Sequence, residues 1–303
     1  MYPVIRAKNR KNVMVQRVHH EYSDLEYLQF PKLSQLERVS HLFTTRTGGV
    51  SKDHLWSMNL SYSRGDEPEN VLENYKRIGK VLGCDADHMV ASHQTHTTNI
   101  RIVTSDDAGK GVVCDRDYTD IDGLITNEKG IALACFYADC VPLYFVDPVK
   151  EVIGLAHSGW RGTYSAIGKC MVDQMKEQFG CDPEDIIAAI GPSICRDCYE
   201  ISEELGEQFM QGMWAADEIE NSLEAIRKAG VYDQTSILDP GKKPEKYQLD
   251  LWLANLIVLH KAGIQLENID VTDICTCCNP EYLYSHRASQ GLRGNLAAFL
   301  MLK

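Results

Sequence analysis

The chain has 303 residues, 44% of them hydrophobic, enough to bury a full core as one large domain or two small ones. Its formal net charge of -12, from 31 basic and 43 acidic side chains, excludes broad contact with nucleic-acid phosphates but leaves room for a small anion held by a local arginine. No run of 18 apolar residues occurs, and the basic N-terminus lacks the apolar centre of a secretory signal, so no membrane partner is expected and a cytoplasmic chain is the default.

In chain order, residues 1–35 carry the weakest pattern. HLFTTRTGGV, residues 41–50, reads as a short strand ending in a Gly-Gly turn. PENVLENYKRIGKVLG, from Pro68, is an amphipathic helix with proline in its first turn and Gly83 at its C-cap. MVASHQTHTTNIRIV and DGLITN have strand composition, as does IALACFYADCVPLYFVDP, which is interrupted at Asp139-Cys140 and Pro142. EVIGLAHSGWRG is a strand running into a Gly-rich turn, and TYSAIGKCMVDQMKEQFG a helix with a glycine stop. DIIAAIGPSIC is a strand ending at Gly-Pro. LDLWLANLIVLHKAG is a helix with apolar Leu249, Trp252, Leu253, Leu256 and Ile257, and IDVTDICT is a last strand. Strands and helices interleave, yet some strands are joined by short turns, which predicts a mixed α/β domain rather than a doubly wound one. The polar motifs fall at strand ends, where α/β sheets bind ligands.

Three of those strand ends carry a metal-capable side chain: His96 in His93-Gln94-Thr95-His96, Cys140 after Asp139, and His157 before Ser158-Gly159-Trp160-Arg161-Gly162. Two histidines and a cysteine suit zinc, and three protein ligands leave a fourth position for water or substrate, the arrangement of a catalytic site. Each residue alone also has a plainer reading, as a hydrogen-bonded histidine or a core cysteine. His93 competes with His96, and on a regular strand the two point to opposite faces. The Gly-rich turn after His157 reads as an ordinary strand-to-helix connection or as a turn favouring an anion at the following helix, with Trp160 either stacking on a base or capping the core and Arg161 beside it. Arg46, next to Gly48-Gly49, reads first as a surface arginine in a tight turn and otherwise as a forked donor to phosphate or carboxylate. Asp122 reads as a turn residue or as a carboxylate orienting a ligand histidine.

Eleven cysteines at irregular spacings in a long chain read as reduced thiols rather than a disulfide framework. Cys195-x-x-Cys198 and Cys275-Thr276-Cys277-Cys278 raise a structural four-thiolate zinc site, which requires the two pairs to meet in space. The simpler expectation is a set of partly buried thiols.

The ordered set HLFTTRTGG, NLSYSRGDEPENVLENYKRI, SHQTHT, DIDGLIT, ADCVPLYFVDP, AHSGWRG, AAIGPSICRDCYE and LYSHRASQGLRGN resembles the laccase-domain, or polyphenol-oxidase-type, family over roughly residues 38–301. Members are described as zinc-dependent purine nucleoside phosphorylases with adenosine deaminase and methylthioadenosine phosphorylase activities, and some as peptidoglycan editing factors. The resemblance implies a layered α/β/β/α domain over residues 38–303 preceded by an extension, residues 1–37. It implies zinc on His96, Cys140 and His157, choosing His96 over His93, and anion-binding roles for Arg46 and Arg287. The chain departs from the pattern at His286, where an aromatic is usual, and at Asn295, where a Gly-Arg pair is common, so an anion-binding arginine there is either missing or supplied by Arg293. Thr95 and Thr97 flank His96 where Val and Gly are typical.

The resulting expectation is a zinc enzyme acting on a purine nucleoside and phosphate, with Asp122 and Asp139 as candidate proton carriers and Arg46 and Arg287 on the phosphate. A metal-free cysteine hydrolase would use the same Cys140 as nucleophile and His157 as base. A multicopper oxidase needs many paired histidine ligands, whereas this chain has ten histidines and no His-x-His pair, so copper is not expected.

Overall fold

The protein is described here by a computed structural model covering residues 1–6, 13–22, 24–213 and 216–303. The strands are β1 (Val15–Val18), β2 (Glu26–Gln29), β3 (Val39–Thr44), β4 (Met89–Ala91), β5 (Ile100–Ile102), β6 (Gly123–Thr126), β7 (Ala132–Tyr137) and β8 (Val141–Asp147). They continue as β9 (Val152–Ser158), β10 (Ile187–Ile190), β11 (Glu200–Ser202), β12 (Leu238–Pro240), β13 (Lys246–Leu249), β14 (Ile269–Val271) and β15 (Leu296–Leu302). Two six-stranded mixed sheets run in the orders β1-β2-β3-β15-β7-β4 and β14-β10-β8-β9-β6-β5, with a small sheet β11-β13-β12 to one side.

Alternation along β8 shows how the layers form. Tyr144 and Val146 point into the space between the large sheets, where they meet Leu133 and Leu300 of the first sheet. Leu143 and Phe145 point the other way, onto Met171 and Met175 of the helix Ile167–Phe179 and near Leu256 of the helix Leu251–Lys261. All seven positions of β8 and of β9 are buried, because a strand covered on both faces has no side for water. The outer face of the first sheet places Ala134 and Phe299 against Val71, Tyr75 and Ile78 of the helix Pro68–Leu82. That helix has the expected proline at its start and Gly83 at its C-cap with φ 83°, a left-handed conformation that glycine adopts without Cβ strain. The stacking order is helix, sheet, sheet, helix: the layered α/β/β/α arrangement expected.

Several local readings change. Residues before position 38 are not merely appended, since β1 and β2 extend the first sheet through antiparallel pairing onto β3. Arg6 also bonds Asp273, and the Ile5 amide donates to Asn279 Oδ1. MVASHQTHTTNIRIV is two short strands, β4 and β5, in different sheets, with both histidines in the connection. The helix expected from Thr163 divides into Trp160–Tyr164 and Ile167–Phe179. Leu249 ends β13 rather than starting a helix, because Asp250 caps the helix by accepting the Leu253 amide at 2.9 Å. IDVTDICT is not the last strand: β15 follows it and pairs with both β3 and β7 inside the first sheet. No helix among the described residues is long and apolar enough to cross a membrane.

Candidate metal centre and the cavity beside it

The β8/β9 hairpin sets two of the three expected ligands side by side. Its register opposes Val141 to Ser158 and Pro142 to His157, so Cys140, one residue before β8, lies at the same end as His157. His96 arrives from the β4–β5 connection. Ligand atoms of His96, Cys140 and His157 all lie within 4.8 Å of one another, with Cys140 Sγ 3.9 Å from His96 Nε2. The two imidazoles meet nearly edge to face, 4.8 Å between centroids. His157 is buried, Cys140 half-buried and His96 exposed, so the group opens toward solvent on the His96 side.

Asp122 organises this cluster. It sits just before β6, which pairs with β9, and its carbonyl accepts the His157 amide at 2.8 Å. Its carboxylate accepts from His157 Nδ1 at 2.8 Å and from the backbone amides of Thr95, His96 and Thr97 at 2.9, 3.1 and 3.0 Å. Because an ionised carboxylate only accepts, His157 Nδ1 carries a proton, which leaves Nε2 as the atom that loses its proton when a metal binds. The same amide bonds hold His96 in a left-handed turn, φ 68°. Burial pushes the Asp122 carboxyl up, but its bond to His157, that residue's charge and the amide donors together bring it below the usual range.

The thiol and imidazole are matched. Burial raises the Cys140 thiol, yet the His157 charge and hydrogen bonds from both histidines outweigh it and bring the thiol down to about 6. Burial lowers His157, but the Cys140 charge and the Asp122 bond lift it to about 9. Gly159, one residue past β9, makes room for the cluster: a Cβ there would stand 2.9 Å from His96 Cδ2 and 3.0 Å from Cys140 Sγ.

A cavity of about 460 Å³ opens beside the three residues. His96, Cys140 and His157 form part of its wall, together with His93, Arg64, Arg116 and Arg293 and the apolar surfaces of Leu60, Phe136 and Tyr137. Arg64 and Arg293 each carry a buried Nε with no hydrogen-bond partner. Burial, reinforced by the charge of Arg64, brings the Arg293 guanidinium down to about 10. Arg293 Nη1 donates to the Gly294 carbonyl and to Asn295 Oδ1, and with Arg64 it puts two like charges on one cavity wall, an arrangement suited to an anion. His93 Nδ1 accepts the Asp120 amide at 3.2 Å, which leaves the neutral ring's proton on Nε2.

Other expected site residues are placed differently. Arg46 donates to the carbonyls of Trp56 and Pro280 at 2.9 and 2.7 Å and lies over the Tyr284 ring, so its fork is occupied by protein. Arg287 donates to the carbonyls of Cys198 and Glu200 and lies over Tyr199. Arg161 covers the ring of Trp160. Asp139 accepts from Thr276 Oγ1 at 2.6 Å and from the Arg287 amide at 2.7 Å, tying the Cys140 loop to the C-terminal segment. None of Arg46, Asp122, Asp139, Trp160, Arg161 and Arg287 lines the cavity. Arg64, Arg116 and His93 do, and sequence reasoning had not assigned them there. The only signal for Arg64 was its place before Gly65-Asp66, the same kind of turn that drew attention to Arg46.

Residues 40–303 match the family model described as Multi-copper polyphenol oxidoreductase laccase. Among curated proteins, the purine nucleoside phosphorylase YlmD of Bacillus subtilis (strain 168) is 37% identical over 265 residues, covering 86% of this chain and 87% of that protein. A purine nucleoside phosphorylase of Deinococcus radiodurans is 34% identical, covering 92% of this chain and 93% of that one. Among solved structures, YlmD from Geobacillus stearothermophilus superposes with a TM-score of 0.79 at 30% identity, covering 97% of this chain and all of that chain (100%). A hypothetical protein YfiH of Bacillus licheniformis gives the same TM-score, 0.79, at 32% identity, covering 91% and 96%.

Proposed function

Because the chain belongs to the multi-copper polyphenol oxidoreductase laccase family, whose relatives above are named purine nucleoside phosphorylases, we propose that it is a zinc-dependent purine nucleoside phosphorylase. The observation that carries this reading is one cavity wall bearing both a His-Cys-His ligand set and two arginines with unused donors.

The donor set fits zinc. Zinc–sulfur and zinc–nitrogen bonds of about 2.3 and 2.0 Å place neighbouring ligand atoms of a tetrahedron roughly 3.3–3.8 Å apart. The 3.9 Å between Cys140 Sγ and His96 Nε2 lies close to that span. Bound there, the metal supplies a Lewis acid and lowers the pKa of a coordinated water to ~7.

The remaining work falls to the chain. Arg64 and Arg293 hold phosphate, Leu60, Phe136 and Tyr137 give the purine an apolar surface, and His93 offers its Nε2 proton to a substrate oxygen or nitrogen. In phosphorolysis a phosphate oxygen attacks C1′ of the ribose and the C1′–N9 bond breaks. The purine leaves with the bonding electron pair and takes up a proton, giving ribose 1-phosphate and free base. Methylthioadenosine presents the same C1′–N9 bond and belongs to the proposed substrate range. Deamination of adenosine at C6 is proposed as a second activity of the same cavity, with water in place of phosphate.

The test is base release from inosine and adenosine with and without phosphate, in wild type and Cys140→Ser. Phosphate-dependent release of hypoxanthine and adenine, abolished by the substitution and by chelator and restored by zinc, is the expected result. No phosphate-dependent base release by zinc-loaded protein overturns it.

A second reading rests on the Cys140–His157–Asp122 sequence of contacts, which is also that of a cysteine nucleophile, its base and the group orienting the base. It predicts turnover that survives chelation and is lost on alkylation of Cys140.

A further inference from the structure

Away from the cavity, the structure brings together two cysteine pairs that lie far apart in the chain. Sγ atoms of Cys195, Cys198, Cys275 and Cys278 all lie within 4.8 Å of one another. We propose that these four cysteines form a second, structural metal site that binds one zinc ion as a tetrathiolate.

Each pair has the C-x-x-C spacing of a zinc knuckle, and the two segments run side by side through a bridge between Ser193 and Cys275. Four zinc–sulfur bonds of about 2.3 Å place the sulfurs of a tetrahedron about 3.8 Å apart. The 3.5 Å between Cys198 and Cys278 and the 4.8 Å limit for the whole set match one ion, whereas a multi-iron cluster would hold the thiolates farther apart. Cys275 Sγ accepts the backbone amides of Cys195 and Cys278 at 3.2 and 3.4 Å, so amides from both knuckles orient this sulfur. Cys275 is buried and the other three are half-buried, so four sulfurs share a volume largely closed to water. All are free thiols, with Cys198 and Cys278 well beyond the ~2.05 Å of a disulfide.

The position gives the site a consequence. Thr276, inside the second knuckle, donates to Asp139, and the Asp139 carbonyl accepts the Ile194 amide at 3.0 Å. The Cys198 carbonyl accepts from Arg287, whose own amide bonds Asp139. The knuckles therefore brace the loop that presents Cys140 while sharing no ligand with the His96, Cys140 and His157 set.

The experiment is metal analysis and cobalt substitution of the full chain, using zinc and cobalt(II) as probes. The variants are Cys140→Ser, Cys198→Ser/Cys278→Ser and Cys277→Ser. Cys140→Ser is expected to retain one zinc per chain and, loaded with cobalt, to show the intense sulfur-to-cobalt charge-transfer absorption of four thiolates. Cys198→Ser/Cys278→Ser is expected to lose one zinc per chain and that absorption, and Cys277→Ser to keep both. Should the double variant fail to fold, the cobalt spectrum of Cys140→Ser decides alone. Absence of the tetrathiolate band there, a Cys198–Cys278 disulfide in the reduced-purified protein, or iron in place of zinc overturns the proposal.

Discussion

Asp122 grips His157 twice, accepting Nδ1 on its carboxylate and the backbone amide on its carbonyl, each at 2.8 Å. The same carboxylate gathers three consecutive amides around His96, so one buried side chain positions both candidate histidine ligands. Asp122→Asn keeps the volume but replaces one acceptor oxygen with a donor facing those amides. Zinc affinity is expected to fall about 10- to 100-fold, the usual cost of removing such a partner. Competition against a chelator of known affinity measures this, and unchanged affinity would remove Asp122 from its positioning role.

Arg64→Ala and Arg293→Ala are each expected to raise the KM for phosphate at least about tenfold, as expected for loss of a charge-assisted pair. The KM for nucleoside should move much less. Arg46→Ala is the contrasting variant: it removes two carbonyl bonds and a ring contact, so it should lower the thermal midpoint while leaving the phosphate KM unchanged. Steady-state kinetics with phosphate varied at saturating nucleoside separates the two cases. A phosphate KM that responds to Arg46 rather than to Arg64 and Arg293 would move the anion site out of the cavity.

Gly159→Ala places a methyl group 2.9 Å from His96 and 3.0 Å from Cys140. The backbone at Gly159 has φ -71° and accepts any residue, so the effect comes from crowding at the ligands rather than from strain. Zinc binding and turnover should fall together while the thermal midpoint of the metal-free protein stays within a few degrees. A variant that binds zinc normally would show that the cluster rearranges on metal binding.

The pair Arg101 and Lys110 acts on Asp107 at distances of 2.7 and 2.8 Å. Burial raises the Asp107 carboxyl, but these two cations and the Thr104 amide bring it down to about 2. A folded value below the unfolded one, about 3.9, means that the stabilisation is complete above that pH and is lost as pH falls toward the folded value. Asp107→Asn should therefore destabilise the protein at neutral pH by an amount that shrinks from about pH 4 to about pH 2. Urea midpoints of both proteins across that range provide the check, and a pH-independent difference would show that the pair contributes through packing alone.

The three candidate metal ligands could be picked out because each sits at a visible break in an apolar run: His157 at the Gly-rich turn, Cys140 after Asp139, His96 in a polar interval between strands. The layering was legible too, because the runs that form β8 and β9 are apolar except at their last residues and the helix from Pro68 has its apolar residues on one face. Less visible were β1, β2 and the small sheet: β1 and the small-sheet strands are short and partly exposed, and β2 buries Glu26 beside Leu28, so its alternation does not show in hydropathy. The chain's own residues thus determined the candidate ligand set and the architecture, through local hydrophobic period and the punctuation of glycine and proline.

Only the tertiary structure decided which arginines face the cavity. A guanidinium's role depends on where its fork lies: Arg46 donates to the carbonyls of residues 56 and 280 away from the cavity, while Arg64 and Arg293, from distant turns, line one cavity wall, each with a buried Nε that has no partner. The same holds for Asp122, whose work on two histidines follows from sheet register, and for the paired cysteines, which spacing could nominate but only the bridge between Ser193 and Cys275 could bring together. Contacts between residues so far apart in the chain arise from packing of sheets and loops, a long-range outcome that local pattern does not encode.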